Sequence, residues 1–85
     1  MRLFVANLPR EIGESELASV FCEFGTVDDV VIVLDRETRQ SRGFGFIDMP
    51  DAMSARYALW KLHKSILGGR RIEVREAHGA AAVSK

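Results

Sequence analysis

The sequence predicts one α+β domain in which strands and helices follow each other in the order β-α-β-β-α-β. Two segments repeat large apolar residues at helical spacing, and four others alternate apolar with polar residues or are rich in β-branched ones. Glycine and proline lie between these segments, where turns are needed. A chain of 85 residues is long enough for one such domain with its own apolar core.

The first half of the chain is predicted to hold a helix between two strands. Residues 2–7 (RLFVAN) form the first strand, which ends before Pro9. Residues 14–24 form an amphipathic helix because their large apolar side chains recur at positions i, i+3, i+4 and i+7, namely Leu17, Val20, Phe21 and Phe24. The β-branched segment at 28–35 (DDVVIVLD) forms the second strand.

The second half is predicted to hold a third strand, a helix and a last strand. The polar turn RETRQS joins the second strand to a strand at 42–49 (RGFGFIDM), so these two form a hairpin. Asp51 is the predicted N-cap of the second helix. The apolar face of this helix carries Ala55, Ala58, Leu59 and Leu62. Residues 70–76 (RRIEVRE) form the last strand, and we expect residues 78–85 to be a short flexible tail after a domain of residues 1–77.

Both predicted helices have an apolar face and therefore cover the same side of a four-stranded antiparallel sheet, as in a ferredoxin-like sandwich. Because side chains alternate along a strand, the covered side takes Leu3, Val5, Val30, Ile32, Ile47, Met49, Ile72 and Val74. The uncovered side takes the alternate residues. Its centre holds three phenylalanines, Phe4, Phe44 and Phe46, and its flanks hold four arginines, Arg2, Arg42, Arg71 and Arg75.

Three aromatic rings on an uncovered sheet, flanked by guanidinium groups, predict a surface on which bases stack and phosphates are contacted. The alternative is that a further element, such as a C-terminal helix, covers the rings. The tail has few large apolar residues, which favours stacking. Twelve basic and twelve acidic residues give zero net charge, so the electrostatic argument depends on where the cations lie.

Two of these strands resemble the signature motifs of the RNA recognition motif family. Residues 3–8 (LFVANL) match the shorter motif, and residues 42–49 match the longer one at seven of eight positions. The resemblance extends over about residues 2–77 and implies a domain that binds single-stranded RNA. Within the family, the chain resembles the small single-domain members.

The resemblance implies roles for individual residues of the uncovered face. Phe4 and Phe44 would stack on successive bases, and Phe46 would lie against a sugar. Arg42 would reach a phosphate. The other candidate cations are Arg2, Arg71, Arg75 and Arg39, the last of which stands in the hairpin turn where the family often has glycine.

Carboxylates and valines are predicted on the same face as the rings: Asp29, Asp48, Glu73, Val31 and Val33. A carboxylate accepts hydrogen bonds but cannot donate them, so it would favour the amino or imino donors of C, A or G and disfavour uridine runs. The alternative is that these acids only pair with Arg71 and Arg75.

The second helix carries a further stripe of large residues on its outer face, formed by Met53, Tyr57 and Trp60. Packing on the sheet needs one apolar face, so this stripe predicts a protein partner or self-association. The alternative is that the rings lie against neighbouring side chains, with the stem of Lys64 over Trp60.

Other classes of function find less support. The aromatics of the sheet are present and no Arg-x-Phe motif precedes the last strand, which argues against a purely protein-binding relative of this fold. An acylphosphatase-like enzyme would need a phosphate-cradling loop, and NLPREIGES offers Arg10 but no glycine cradle. We therefore expect no catalytic residue, metal site or cofactor. The absence of a secretory signal or membrane span and the single Cys22 predict an intracellular location, cytoplasmic or, in a eukaryote, nuclear.

Overall fold

The computed structural model describes residues 1–77, so the predicted tail at 78–85 lies outside the described residues. The helices and strands follow the predicted order, with two short strands added near the end. Their bounds are β1 Arg2–Ala6, α1 Glu14–Cys22, β2 Asp29–Leu34, β3 Ser41–Asp48, α2 Ala52–Leu62, β4 Ile66–Leu67, β5 Arg70–Arg71 and β6 Glu73–Glu76. Neither helix of this part of the chain is long and apolar enough to cross a membrane.

Four strands form the main sheet in the order β2-β3-β1-β6, and each is antiparallel to its neighbours. Both helices lie on one side of this sheet, where they close a single apolar core. The predicted inward strand residues are buried there, except that Val30 is half-buried. Phe21 of α1 is the largest fully buried side chain of this core. The predicted fold and its covered side are therefore confirmed.

Each helix begins at a residue whose polar groups are satisfied locally. At α1, the Gly13 amide donates to Glu16 Oε1 at 2.9 Å. At α2, the Ser54 hydroxyl donates to Asp51 Oδ2 at 2.7 Å, and this hydrogen bond is the main reason that the pKa of Asp51 lies below the usual aspartate value. Asp51 is the N-cap of α2, as predicted.

The predicted last strand at 70–76 is wrong in one respect, because it is divided. Its first two residues pair with β4 in a separate hairpin closed by Gly68 and Gly69, which have φ values of +56° and +86°. Two successive positive φ values are typical of the tight turns that join hairpin strands, and glycine adopts them without steric strain. Arg71 therefore does not lie in the four-stranded sheet, and its Nη1 donates to the Lys64 carbonyl at 3.4 Å.

Side chains from the helices cover backbone amides at both edges of the main sheet. At the β2 edge, the Ile32 amide donates to Glu14 Oε2 at 3.1 Å. At the β6 edge, the Val74 amide donates to His63 Nδ1 at 3.0 Å. Unpaired edge amides are sites at which another strand can add, so these two contacts protect the sheet against edge-to-edge pairing. The face opposite the helices has no such cover from either helix.

Candidate nucleic-acid interface

The pairing of strands arranges the uncovered face in rows across the sheet. In the central row Val31, Phe46, Phe4 and Arg75 follow each other from β2 to β6. Residues directly opposite each other on antiparallel strands share a face, so this row confirms the predicted placement of both phenylalanines and of Arg75. Phe44 lies in the next row, opposite Ala6.

The three phenylalanine rings form one cluster, called here the aromatic platform. The Phe4 centroid lies 5.7 Å from that of Phe44 and 5.5 Å from that of Phe46, with the rings tilted by 49° and 51°. Such distances and tilts are typical of favourable aromatic pairs. All three side chains remain half-buried rather than fully buried. The platform is thus held in place by its own contacts while its outer surfaces stay accessible to a flat ligand.

Arg2 distinguishes Phe46 from the other two rings. Its Cζ lies 5.1 Å from the Phe46 centroid, and its Nε lies 3.5 Å from Asp48 Oδ1. A guanidinium held over an aromatic face is attracted by the ring quadrupole. Because Arg2 takes up part of the Phe46 surface, Phe4 and Phe44 offer the freer surfaces for base stacking. This difference agrees with the role against a sugar that the family resemblance implies for Phe46.

The acidic residues of this face do not share one environment. Asp29 lies opposite Asp48 across β2 and β3, and Asp48 lies opposite Arg2, so the row reads acid, acid, base. Glu73 Oε1 accepts from Arg75 Nη2 at 3.3 Å. The alternative in which the acids pair with arginines therefore holds for Glu73 and Arg75. Arg71 lies outside the main sheet, and Asp48 pairs with Arg2 instead.

The two glycines of the β3 motif, Gly43 and Gly45, allow the backbone geometry of the strand that carries Phe44 and Phe46. The β2–β3 pairing is irregular between Ile32 and Leu34, and Gly43, on the β3 side of this irregularity, has a φ of +87°. Gly45 has a different role, because a Cβ there would lie 2.3 Å from the Val31 carbonyl oxygen. The motif thus needs one glycine for its backbone conformation and the other for close approach of β2.

Gly45→Ala is expected to destabilise the domain by about 1–3 kcal/mol or more, because β2 must move away from β3 to admit the methyl group. Gly13→Ala is the matched control, since a Cβ at Gly13 meets no atom closer than 3.9 Å. The free energy of unfolding from urea titration measures both. Equal losses in the two variants would show that the close approach at Gly45 is unimportant.

The β2–β3 loop carries Arg39, and Arg42 follows it at the start of β3. Asp35 Oδ1 accepts from the Thr38 and Glu37 amides at 3.0 and 2.8 Å, and these bonds lower the pKa of Asp35 below its usual value. Arg39 has a φ of +65°, so this position does favour glycine. The Arg39 and Arg42 side chains are both exposed and lie outside the core.

The family model described as RNA recognition motif matches residues 3–73 of the chain. This chain belongs to the RNA recognition motif family. The match runs from the second residue of β1 to the first residue of β6, and the aromatic platform and the glycine positions of β3 lie within it. The sequence match establishes that this chain is an RNA recognition motif. The structure shows which face of its sheet carries the three rings.

Relatives and solved structures agree with this assignment. The chain is 48% identical over 73 residues to RNA-binding protein CP33, chloroplastic, of Arabidopsis thaliana, covering 86% of this chain and 22% of that protein. It spans about a fifth of that relative. A crystal structure of RNA binding protein PG1 is 38% identical with a TM-score of 0.88, covering 91% of this chain and 93% of the other. An Sxl-lethal protein/RNA complex is 31% identical with a TM-score of 0.85, covering 89% and 47%.

Two side chains near the platform were not predicted from the sequence. Arg70 Nη2 donates to Asn7 Oδ1 at 2.6 Å, and Asn7 Nδ2 donates to the Arg71 carbonyl at 2.8 Å, which ties the β4–β5 hairpin to the end of β1. Arg70 thereby lies at the end of β1, whereas the Arg71 side chain contacts the Lys64 carbonyl. The Gly68-Gly69 pair is a sequence signal for a tight hairpin. It could have revealed that Arg70 and Arg71 belong to a separate hairpin rather than to the main sheet.

Proposed function

We propose that the uncovered face of this RNA recognition motif binds single-stranded RNA, with bases stacked on Phe4 and Phe44 and a sugar against Phe46. The aromatic platform carries the proposal: three half-buried rings in mutual contact on a sheet face that neither helix covers. Single-stranded bases expose the flat surfaces that such rings stack against, whereas the bases of a duplex are stacked on each other.

Arginines around the platform are proposed to contact phosphates. Arg42 and Arg75 are exposed at opposite sides of it, and Arg2 lies beside Phe46. With zero net charge on the chain, affinity rests on a few local contacts rather than on a general field. Three phosphate contacts would give a slope of only about −2 for the logarithm of affinity against the logarithm of salt concentration.

We propose that the domain acts by binding alone rather than as an enzyme. In support, residues 1–77 contain no group of three or more His, Cys, Asp or Glu side chains placed to hold a metal ion, and Cys22 is exposed on α1. A catalytic cysteine would need a base and an orienting group beside it. The proposed location is a compartment that contains RNA; the cytoplasm is one, and the name of the CP33 relative points to the chloroplast as another.

The decisive experiment is NMR titration of the isotope-labelled chain with a single-stranded RNA selected from a random pool. Amide shifts are expected to move in β1 and β3, at and beside the platform, and to move little in α1 and α2. The same RNA annealed to its complement is the control and should cause small shifts. Shifts confined to the helices, or equal effects of the duplex, would contradict the proposal.

The acids of this face are proposed to disfavour uridine runs. Asp29→Asn is expected to raise poly-uridine affinity about two- to fivefold, or roughly 0.5–1 kcal/mol, because the edge of uracil carries two carbonyl oxygens that a carboxylate repels and to which an amide can donate. Asp28→Asn is the matched control, because Asp28 is the adjacent residue and has the opposite strand parity. Fluorescence titration with poly-uridine and with mixed-sequence RNA measures both. If poly-uridine binds the unchanged chain as tightly as mixed RNA, the idea is wrong.

A further inference from the structure

The outer face of α2 exposes a line of large side chains that the RNA proposal does not use. Met53, Tyr57 and Trp60 are 77%, 51% and 71% exposed, and we call these three residues the α2 stripe. They are spaced by four and three residues, which places them along one side of a helix. The core-facing side of the same helix carries Ala55 and Ala58, so the stripe takes no part in packing on the sheet.

Contacts between aromatic rings hold two members of the α2 stripe, Tyr57 and Trp60, in a defined arrangement. Tyr57 lies edge-on against Phe24 at 5.4 Å and is stacked with Trp60 at 6.3 Å between ring centroids. The predicted alternative, in which the rings lie against neighbouring side chains, is confirmed for Tyr57 by these contacts. It is wrong only about Lys64, since the cation beside Trp60 is Lys61, whose Nζ lies 5.6 Å from the ring centroid. Trp60 stays mostly exposed despite Lys61. An ordered, exposed aromatic line is pre-organised for binding, because little side-chain entropy remains to be lost.

The charged side chains within α2 itself, Arg56 and Lys61, are both cationic. Residues 52–72 contain five Lys or Arg and no Asp or Glu, whereas residues 11–35 contain seven Asp or Glu and no Lys or Arg. At about 100° per residue, Arg56 lies on one side of the stripe and Lys61 on the other. The chain is neutral overall, but its α2 side is basic.

We propose that the α2 stripe docks an amphipathic helix of a partner protein whose apolar side chains are flanked by Asp or Glu. An apolar seam with like charges on both flanks is the pattern by which one helix selects another of opposite flanking charge. Tyr, Trp and Met are also residues enriched at protein interfaces.

A second copy of this chain fits the stripe less well than an acidic partner. Pairing of two α2 helices would place Arg56 and Lys61 of one copy against cations of the other, which is repulsive. The acidic half of the chain offers no exposed apolar helix in exchange, because Leu17 and Phe21 of α1 are buried in the core. The stripe and the aromatic platform lie on different sides of the domain, so partner and RNA could be bound together.

The test is selection from a displayed library of helical peptides. Seam positions vary among Leu, Ile, Met and Phe, and flanking positions vary among Glu, Gln and Lys. We expect Glu to dominate the flanks of peptides selected on the unchanged chain. On the Arg56→Glu, Lys61→Glu variant, whose exposed substitutions preserve the core, Lys should dominate and the original peptides should bind at least tenfold more weakly. No selection, or flanks without acidic preference, would overturn the proposal.

Trp60 is the only tryptophan of the chain and reports directly on this surface. A selected peptide should shift its emission to shorter wavelength, both in the unchanged chain and in a Phe44→Ala, Phe46→Ala variant. Three other results would overturn the proposal: a peptide that binds without changing Trp60 emission, a chain that dimerises by solution mass without peptide, and RNA that quenches Trp60 in the Phe44→Ala, Phe46→Ala variant. The last two would assign the face to a second copy or to nucleic acid.

Discussion

Replacing Phe44 and Phe46 together with alanine is expected to weaken single-stranded RNA binding by about 1–3 kcal/mol for the base stacked on Phe44, and by a further amount for the sugar contact of Phe46. The physical reason is that two of the three rings of the aromatic platform are lost. Phe4 also loses the two rings against which it packs. Both side chains lie on the outer face, so the domain should remain folded. Fluorescence anisotropy with a short labelled RNA measures the affinity, and circular dichroism checks the fold.

Trp60→Ala is the matched control for this loss. It removes a larger and more exposed aromatic side chain, but one that lies on α2 rather than on the sheet. RNA affinity should therefore stay unchanged in Trp60→Ala. If the double variant binds RNA as tightly as the unchanged chain, or if Trp60→Ala weakens binding equally, the sheet face is not the binding surface.

Phe21→Ala is expected to lower the free energy of unfolding by about 3–5 kcal/mol, because it empties the largest fully buried position of the core. A domain of this size has a total stability of only about 5–15 kcal/mol, so the variant should lose a large part of it. Urea titration followed by circular dichroism gives the value.

Phe24→Ala is the matched control for the loss of unfolding free energy in Phe21→Ala. Phe24 lies three residues after Phe21, just beyond the end of α1, and is half-buried against Tyr57, so its loss should be clearly smaller. A Phe21→Ala variant as stable as Phe24→Ala would show that the apolar face of α1 is oriented differently from the structure described here.

Periodicity predicted most of the fold because each strand and helix has one face that must be buried. The inward strand residues follow directly from alternation once both helices are seen to be amphipathic. The failure at Arg71 has a different cause. Alternation extends through RRIEVRE without a break, and the interruption at Ile72 depends on the β4–β5 hairpin, whose partner strand is only two residues long. So short a strand gives no periodic signal.

The sequence alone determined which face of the sheet carries Phe4, Phe44 and Phe46, since strand parity and the two amphipathic helices leave no other arrangement that buries the apolar residues. It also determined that Tyr57 and Trp60 lie opposite the core-facing side of α2. Only the tertiary structure decided which cation meets which group: Arg2 on Phe46 and Asp48, Arg75 on Glu73, Arg70 on Asn7 and Lys61 on Trp60. Long charged side chains reach several partners from one position, so their contacts depend on cross-strand register and turn geometry, which residue spacing does not encode.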